Sequence, residues 1–253
     1  MNRPTDNTGE REYAKVMGRN PVKEALKSGR NINKIYVSSS DSDYSLSQII
    51  NTAKDMGIYV QKTDRRKLDA MTGNGAHQGI VAICSPIEFC DVEDILAVAK
   101  ERGEKPFIVM LDGITDIHNA GAIIRSAYCA GAHGVIISKR RSAAINDGIY
   151  KTSAGSIEHI KIAQVANLAQ TMQSLQKQGL FAVCCDMKGT AYWDIDFDMP
   201  LIIVAGAEGE GISRVIRDKS DLCATIPMKG DLDSLNTSVA AGIVMFEAAR
   251  QRG

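Results

Sequence analysis

Five polar side chains in residues 107–253 follow apolar, strand-like runs and carry groups that could do chemistry. They supply amide, guanidinium, carboxylate and hydroxyl groups, and they are Asn119, Arg125, Glu208, Ser234 and Asn236. In open α/β sheets a ligand binds outside the carboxyl ends of the strands, where such loops gather. The loops after these strands are therefore the candidates for ligand binding.

The loop GAEGEG at 206–211 places three glycines at the end of a predicted strand. Their spacing departs from the G-x-G-x-x-G order of dinucleotide-binding loops, so a tight strand-to-helix turn is the simplest interpretation. Glu208 and Glu210 would also repel the phosphates of a dinucleotide. The loop therefore leaves room for a ligand that carries positive charge.

The loop that precedes Arg125 and the loop at 227–239 hold polar groups in unusual surroundings. Arg125 lies in a mostly apolar helical stretch at 122–127, which suggests a charge near the core that needs a partner. A lone helix arginine is, however, usually a solvated surface group. Between the strand that ends at Pro227 and the helix that starts near Val239, residues 234–238 carry more polar side chains than one helix cap needs. The surplus indicates ligand contacts.

Apolar runs separated by helical patterns position these loops. Long continuous runs, typical of parallel strands buried on both faces, lie at 107–112, 134–138, 180–185, 201–206 and 223–227. Shorter runs lie at 34–37, 57–61 and 79–84, and helical patterns alternate with them at 21–29, 45–57 and 64–71. The fold class is therefore α/β, with a parallel sheet in the larger part.

The same patterns predict two α/β domains. We expect a disordered tail over residues 1–13, a small domain over 14–86, a linker over 87–106 and a larger domain over 107–253. The linker contains a short helical pattern that Asp91 can cap.

The composition is that of an ordinary soluble protein, with 44% hydrophobic and 24% charged residues among 253. The net charge of zero divides unevenly: residues 1–86 hold 13 Lys and Arg against 9 Asp and Glu, so +4, and the remainder holds 17 against 21, so −4. This imbalance is a weak indication that the first domain meets a polyanion. Membrane-length apolar runs and a signal-peptide core are both absent from the sequence, which predicts a cytoplasmic protein.

The six cysteines, at positions 84, 90, 129, 184, 185 and 223, lack metal-ligand spacing. We expect buried, reduced thiols and no metal site.

Three segments in this order at the carboxyl end resemble the motifs of the SpoU (TrmH) family of RNA ribose 2′-O-methyltransferases. They read NAGAIIRSA, IIVAGAEGEGIS and IPMKGDLDSLNTSVAAG. The resemblance extends from about Phe107 to the end, and it is nearest to enzymes that methylate a guanosine of 23S rRNA. The first domain, with GRNPVKEAL and HQGIVAIC, looks like the small ribosomal-protein-like RNA-binding domain of the ribosomal-RNA members. Departures from the family pattern are Ile117 for proline, Ala120 for a larger apolar residue and Thr237 for valine.

The resemblance implies a SPOUT methyltransferase domain with a trefoil knot, S-adenosylmethionine as cofactor, an RNA substrate and a homodimer. It implies that five residues line the cofactor pocket: Gly206, Ile226, Met228, Gly230 and Leu235. It gives catalytic positions to Asn119, Arg125, Glu208, Ser234 and Asn236. We expect Ser234 and Asn236 to help start the helix that follows as well, and Ser238 to cap it. Arg125 matches the residue proposed as the base, but a guanidinium stays protonated, so gripping a phosphate and stabilising the alkoxide is the alternative role.

Two clusters of cations are predicted to contact RNA phosphates, although each could also be a solvated surface. They are Arg65, Arg66 and Lys67 at the start of a short helix, and Lys139, Arg140 and Arg141 beyond a strand end. A tRNA ribose methyltransferase and a non-catalytic RNA-binding or assembly factor remain as alternatives. A nicotinamide-dependent dehydrogenase fails on the glycine order of 206–211.

Overall fold

The protein, examined as a computed structural model, is described over residues 13–41, 43–143, 145, 147–231 and 234–253. The chain divides into two compact units, with the boundary between Ile87 and Glu88. The tail predicted over residues 1–13 falls, apart from Tyr13, outside the described residues.

The first unit is a mixed four-stranded sheet with three helices. Its elements are β1 (Ala14–Met17), α1 (Arg19–Lys27), β2 (Ile32–Ser38), α2 (Tyr44–Asp55), β3 (Val60–Thr63), α3 (Arg65–Thr72) and β4 (Ile80–Cys84). The strand order is β1-β4-β2-β3, in which β2 and β3 are parallel and β4 runs antiparallel to β1 and β2. Strand β1 is missing from the sequence-based prediction, because only Val16 of its four residues is buried and it shows no long apolar run.

The second unit is a six-stranded sheet in which every neighbouring pair is parallel. Its elements are α4 (Val92–Arg102), β5 (Phe107–Asp112), α5 (Ile117–Cys129), β6 (Gly134–Ser138), α6 (Asp147–Thr152), β7 (Lys161–Val165), α7 (Leu168–Gln176), β8 (Phe181–Ala191), β9 (Leu201–Gly206), α8 (Arg214–Lys219), β10 (Leu222–Thr225) and α9 (Thr237–Arg252). The predicted parallel sheet is therefore present, with β7 as an additional edge strand.

Helix α4 belongs to the second unit, although the sequence places it in a linker over 87–106. Asp91 occupies its N-cap position, and the Asp94 carboxylate accepts a hydrogen bond from the Asp91 backbone N–H at 2.9 Å. Ile95 is fully buried in the core of this unit, and a side chain at Gly134 would collide with it. This packing ties residues 88–106 to the larger sheet.

The strand order is β10-β8-β9-β5-β6-β7, and the direction in which the chain adds strands to the sheet reverses between β9 and β5. From β5 the chain proceeds outward to β6 and β7, whereas β8 and β10 lie on the far side of β9. The loops after β5 and β9 diverge at such a point and leave a crevice at the carboxyl ends of the strands. The topology therefore points to the ends of β5 and β9, at Asp112 and Gly206, as the ligand-binding edge.

Candidate active site at the carboxyl edge of the parallel sheet

Three of the five predicted catalytic residues form one hydrogen-bonded network. The Asn119 amide Nδ2 donates to Glu208 Oε2 at 2.8 Å. The Asn236 amide Nδ2 donates to Asn119 Oδ1 at 2.9 Å and, at 3.4 Å, to the same oxygen of Glu208. The network joins the loops that follow β5, β9 and β10, and it brings together side chains 117 positions apart in the chain.

Asn119 and Asn236 are both held at the first turn of a helix. The Asp116 carboxylate, at the N-cap of α5, accepts from the Asn119 backbone N–H at 2.8 Å. Asn236 is itself the N-cap of α9, where its Oδ1 accepts from the backbone N–H groups of Ser238 at 3.0 Å and Val239 at 3.4 Å. The prediction that Ser238 caps this helix is therefore wrong, because Asn236 uses its amide oxygen as the cap and its amide nitrogen for the network.

The turn after β9 presents Glu208 and Glu210 at its tip. Ala207 and Gly211 exchange two backbone hydrogen bonds, of 3.1 and 2.8 Å, which close the turn. A Cβ at Gly206 would come within 2.4 Å of the Gly211 backbone, so only glycine fits there. The Thr237 hydroxyl donates to the Gly206 carbonyl at 2.6 Å and joins α9 to the same turn. The tight strand-to-helix turn inferred from the glycine spacing is present.

The five residues predicted to bind the cofactor line one cavity of about 620 Å³; they are Gly206, Ile226, Met228, Gly230 and Leu235. Glu208, Ser234 and Asn236 line the same cavity. Of the predicted catalytic residues, Ser234 thus reaches the cavity without a hydrogen bond to the network among the contacts described.

The lining of this cavity suits a ligand with an apolar part and a positive charge. Ala224 and Val244 supply apolar surface, while Glu208, Glu210 and Asp186 supply carboxylates. Asp186 is neutralised in part by a hydrogen bond from the Arg217 guanidinium. Residues of the glycine-rich turn, 206–211, and of the segment after β10 complete the lining. S-adenosylmethionine, with its adenine ring and sulfonium cation, fits this combination.

Two adjacent cysteines, Cys184 and Cys185, lie at or near the cavity. Burial raises the pKa of Cys185, which lines the cavity, to about 12. Burial also raises the pKa of Cys184, whose Sγ lies 2.8 Å from Cys223 Sγ. All six cysteines, which fall within the described residues, are free, but the expectation that they are buried holds only for Cys84 and Cys184, since Cys129 is exposed and the other three are partly buried. Burial thus disfavours the thiolate form, which is the nucleophilic one, at Cys184 and Cys185.

Arg125 lies elsewhere: its side chain is exposed on α5, and it is absent from the described lining of the cavity. The expectation of a charge near the core is wrong. Ile123, Ile124 and Ala127 are fully buried, but successive residues of a helix point about 100° apart, so Arg125 turns to solvent on the same side as Tyr128. The apolar residues next to Arg125 in sequence are therefore not its neighbours in space.

The two cationic clusters are exposed. Arg65 at the start of α3 forms an ion pair with Asp41 at 3.1 Å, and Lys67 Nζ lies 5.8 Å from the centroid of the Tyr36 ring. Arg66 extends to solvent beside them. In the second unit, the cations that follow β6 are Lys139, Arg140 and Arg141, of which the two arginines line a second cavity.

Sequence reasoning missed the residues that hold these loops in place. The Asp112 carboxylate at the end of β5 accepts from the Ser213 backbone N–H at 2.7 Å, and so fixes the segment that follows the glycine-rich turn. Its position directly after an apolar strand was the available signal. Among the described residues, no group of three or more His, Cys, Asp and Glu side chains is arranged to hold a metal ion, and no helix is both long and apolar enough to cross a membrane.

Two family models match the chain. The model described as the SpoU rRNA Methylase family matches residues 106–246, and the model described as RNA 2′-O ribose methyltransferase substrate binding matches residues 15–90. A Bacillus subtilis (strain 168) protein assigned to the TrmH family of tRNA/rRNA methyltransferases, YacO, is 40% identical over 238 residues, which cover 94% of this chain and 95% of that protein.

Solved structures resemble the chain over nearly its whole length. The SpoU methyltransferase AviRb from Streptomyces viridochromogenes, in complex with the cofactor AdoMet, matches with a TM-score of 0.78 and 25% identity, covering 94% of this chain and 90% of that chain. An AdoMet-bound rRNA methyltransferase from Sinorhizobium meliloti matches with a TM-score of 0.78 and 26% identity, covering 96% and 89%.

Proposed function

Because the chain belongs to the SpoU rRNA methylase family, we propose that it transfers a methyl group from S-adenosylmethionine to a ribose 2′-hydroxyl of ribosomal RNA, at a guanosine of 23S rRNA. It is an RNA methyltransferase, and S-adenosylmethionine is its methyl donor. The ribose 2′-oxygen as acceptor is supported by the family model that matches the first unit. The choice of ribosomal RNA is supported by the family description and by the similarity to the Sinorhizobium meliloti enzyme.

The observation that carries this proposal is the Asn119–Glu208–Asn236 network beside the 620 Å³ cavity. We assign cofactor binding to the five residues of the cavity named above, which are Gly206, Ile226, Met228, Gly230 and Leu235. When bound, S-adenosylmethionine supplies an activated methyl group on a sulfonium cation. Carboxylates at the wall of the cavity favour that cation over a phosphate-bearing ligand.

The residues of the network orient the reaction. Asn119 and Asn236 hold the Glu208 carboxylate in one position, so it can receive a hydrogen bond from the substrate or face the cation without reorganising. Ser234 adds a hydroxyl at the same wall. Displacement at a methyl group requires the attacking oxygen to lie in line with the leaving sulfur, and such positioning can lower a barrier by about 7–11 kcal/mol at most.

Arg125 is proposed to bind the phosphate next to the target ribose and to stabilise the developing alkoxide. A guanidinium stays protonated at neutral pH, so it serves as a charge and a planar hydrogen-bonding fork rather than as a base. Its exposed position on α5 leaves it accessible to such a ligand.

We also propose a homodimer, formed through the exposed surface of α5 and α9 near Arg125. Helices α5 and α9 pack closely, since a Cβ at Gly242 would lie 3.7 Å from Ser126 Oγ. Next to this crossing, large apolar side chains are about half exposed: Tyr128 at 42%, Val239 at 50% and Phe246 at 51%. A second copy of the chain would cover them and bring a partner surface to Arg125.

The first unit is proposed to hold the RNA. Its excess of cations, its match to a substrate-binding model and the exposed cluster Arg65, Arg66 and Lys67 support that role. We propose that the two roles divide at the predicted limits, with RNA binding in 14–86 and methyl transfer in 107–253; residues 88–106, predicted as a linker, pack with the second unit.

Methyl transfer from labelled S-adenosylmethionine to separate 23S rRNA and tRNA transcripts would test the proposal, followed by mapping of 2′-O-methyl positions. We expect label in 23S rRNA, on the ribose of one guanosine. Label confined to tRNA would favour the tRNA enzyme. Tight RNA binding without any transfer would favour an assembly factor.

A further inference from the structure

A second cavity, of about 960 Å³, adjoins the first at the carboxyl edge of the sheet. Four residues of the glycine-rich turn line both cavities: Ala207, Glu208, Glu210 and Gly211. The remaining walls of the second cavity come from the segments that follow β5, β6 and β7 and from the start of α8. One turn therefore forms a wall common to two cavities, and Glu208 of the hydrogen-bonded network belongs to that wall.

The two cavities differ in charge. In the first, the lining arginine Arg217 is bonded to Asp186, so carboxylates dominate. The second cavity is lined by Arg140 and Arg141 from the segment after β6, and by Arg214 from the start of α8. Besides Glu208 and Glu210 of the common wall, the second cavity has one further carboxylate, Asp112, which accepts a hydrogen bond from the Ser213 backbone N–H at 2.7 Å.

The arginines are available to a ligand. The Arg214 side chain is 92% exposed, and its contact with Asp218 spans 3.4 Å, a surface ion pair that holds it weakly. Asp112 fixes the backbone just before Arg214. Arg141 adopts a φ of 56°, a backbone conformation that arginine rarely takes, and both Arg140 and Arg141 are exposed.

We propose that the second cavity is the acceptor site, which binds the RNA strand around the target nucleotide, with Arg140 and Arg214 contacting backbone phosphates other than the one assigned to Arg125. This inference rests on the proposed function. The carboxylates on the common wall repel phosphate, whereas a ribose hydroxyl or a base N–H can donate to them. The strand is thereby oriented, with backbone phosphates at Arg140 and Arg214 and the target ribose at the wall next to the cofactor cavity. Arginine suits the phosphates because its fork donates two parallel hydrogen bonds.

Full-length variants Arg140→Ala, Arg214→Ala and the double variant would test this, with Arg102→Ala as the matched control. Arg102 is exposed at the end of α4, just before β5 and thus at the opposite, amino edge of the same sheet. Binding of full-length 23S rRNA transcript would be measured across a range of salt concentrations, and S-adenosylmethionine binding by calorimetry. Methyl transfer by the wild-type protein would be recorded with the same transcript.

We expect each single variant to weaken RNA binding about tenfold and to flatten the salt dependence by about 0.7 per lost phosphate contact. The double variant should lose about twice as much slope, while Arg102→Ala and the cofactor affinity of every variant stay unchanged. An Arg214→Ala protein with the RNA affinity and salt slope of Arg102→Ala would overturn the acceptor site, even if the wild type methylates the transcript. Absence of transfer by the wild type to any RNA would instead overturn the proposed function.

Discussion

The two edges of the six-stranded sheet each carry a small polar network, and the networks end in different places. At the amino edge, buried His133 accepts a hydrogen bond from the Phe107 backbone N–H on Nδ1, at 2.9 Å, and its Nε2 lies 3.0 Å from Glu104 Oε2. At the carboxyl edge, Asn119 and Asn236 converge on Glu208. The first network closes on the backbone of β5, whereas the second ends on a carboxylate that lines two cavities.

This difference suggests that the amino-edge network contributes to stability and the carboxyl-edge network to function. A polar group whose partners are all within the fold contributes to folding, because breaking it leaves buried groups unpaired. A polar group that is held by two partners and still faces a cavity is positioned for a ligand. Substitutions at the amino edge should therefore change melting, and substitutions at the carboxyl edge should change methyl transfer.

The largest expected loss of methyl transfer comes from Arg125, which belongs to neither of these two networks. Arg125→Ala should reduce methyl transfer by about a thousandfold, because the charge that we propose stabilises the reacting oxygen is lost, while S-adenosylmethionine still binds. Arg125→Lys should fail as well, because a point charge does not replace a planar fork. Single-turnover transfer and calorimetry would measure the two effects. A lysine variant near wild-type activity would contradict the role given to Arg125.

Asn236→Asp sharpens the comparison at the carboxyl edge. Aspartate keeps the oxygen that caps α9, so the helix retains its cap, but it replaces the donated N–H with a second carboxylate oxygen facing Glu208 and Asn119. Transfer should fall about a hundredfold, the usual cost of losing one positioned donor. Thermal melting should change little. A variant that melts much lower, with transfer per folded molecule preserved, would make Asn236 a structural residue.

The sequence predicts the long strands well because β5 and β9 are buried on both faces and read as unbroken apolar runs. It misses β7 because Lys161 and Gln164 interrupt the run, as suits an edge strand with solvent on one side. It also cannot predict the bond between Asn119 and Asn236, which depends on how two distant loops meet. The candidate residues of the site came from the resemblance to a family, and the knot implied by that resemblance stays a prediction.

A fragment of residues 88–253 would test whether the carboxyl edge binds S-adenosylmethionine and RNA without the first unit. It should begin at Glu88, since the Cys90 N–H donates to the Ile162 carbonyl at 3.0 Å and Asp91 caps α4; a start at Glu93 would remove both. S-adenosylmethionine affinity should match that of the full chain. Affinity for 23S rRNA should fall by at least about tenfold, with a flatter salt dependence.

The control for this truncation is a full-length Arg65→Ala, Arg66→Ala, Lys67→Ala variant. It keeps the first unit but removes its exposed cluster, so it should lose part of the affinity and part of the salt slope. Equal RNA affinity and equal slope for the fragment and the full chain would show that the second unit binds RNA alone.

The smallest expected effect is at the amino edge, where His133 should make stability depend on pH. Burial lowers the pKa of His133 below its ordinary value of 6.5, although its contact with Glu104 opposes the shift. The neutral form, which accepts from the Phe107 N–H, is therefore favoured in the folded protein. Its stabilisation is fully present above the pKa of the unfolded state and declines as the pH falls below about 6.5 toward the lower folded-state value.

The melting temperature of the wild type should therefore fall more between about pH 8 and pH 5.5 than that of His133→Asn, by about 2–4 °C for each kcal/mol involved. Asparagine has an oxygen that can accept from the Phe107 N–H but does not titrate, so the difference between the two proteins isolates the imidazole. Methyl transfer at pH 8 should be similar in both, because this network does not face a cavity at the carboxyl edge. If the melting temperatures of the two proteins changed equally with pH, His133 would not be the source of the pH dependence. Loss of methyl transfer in a well-folded His133→Asn protein would show that the amino edge also affects function.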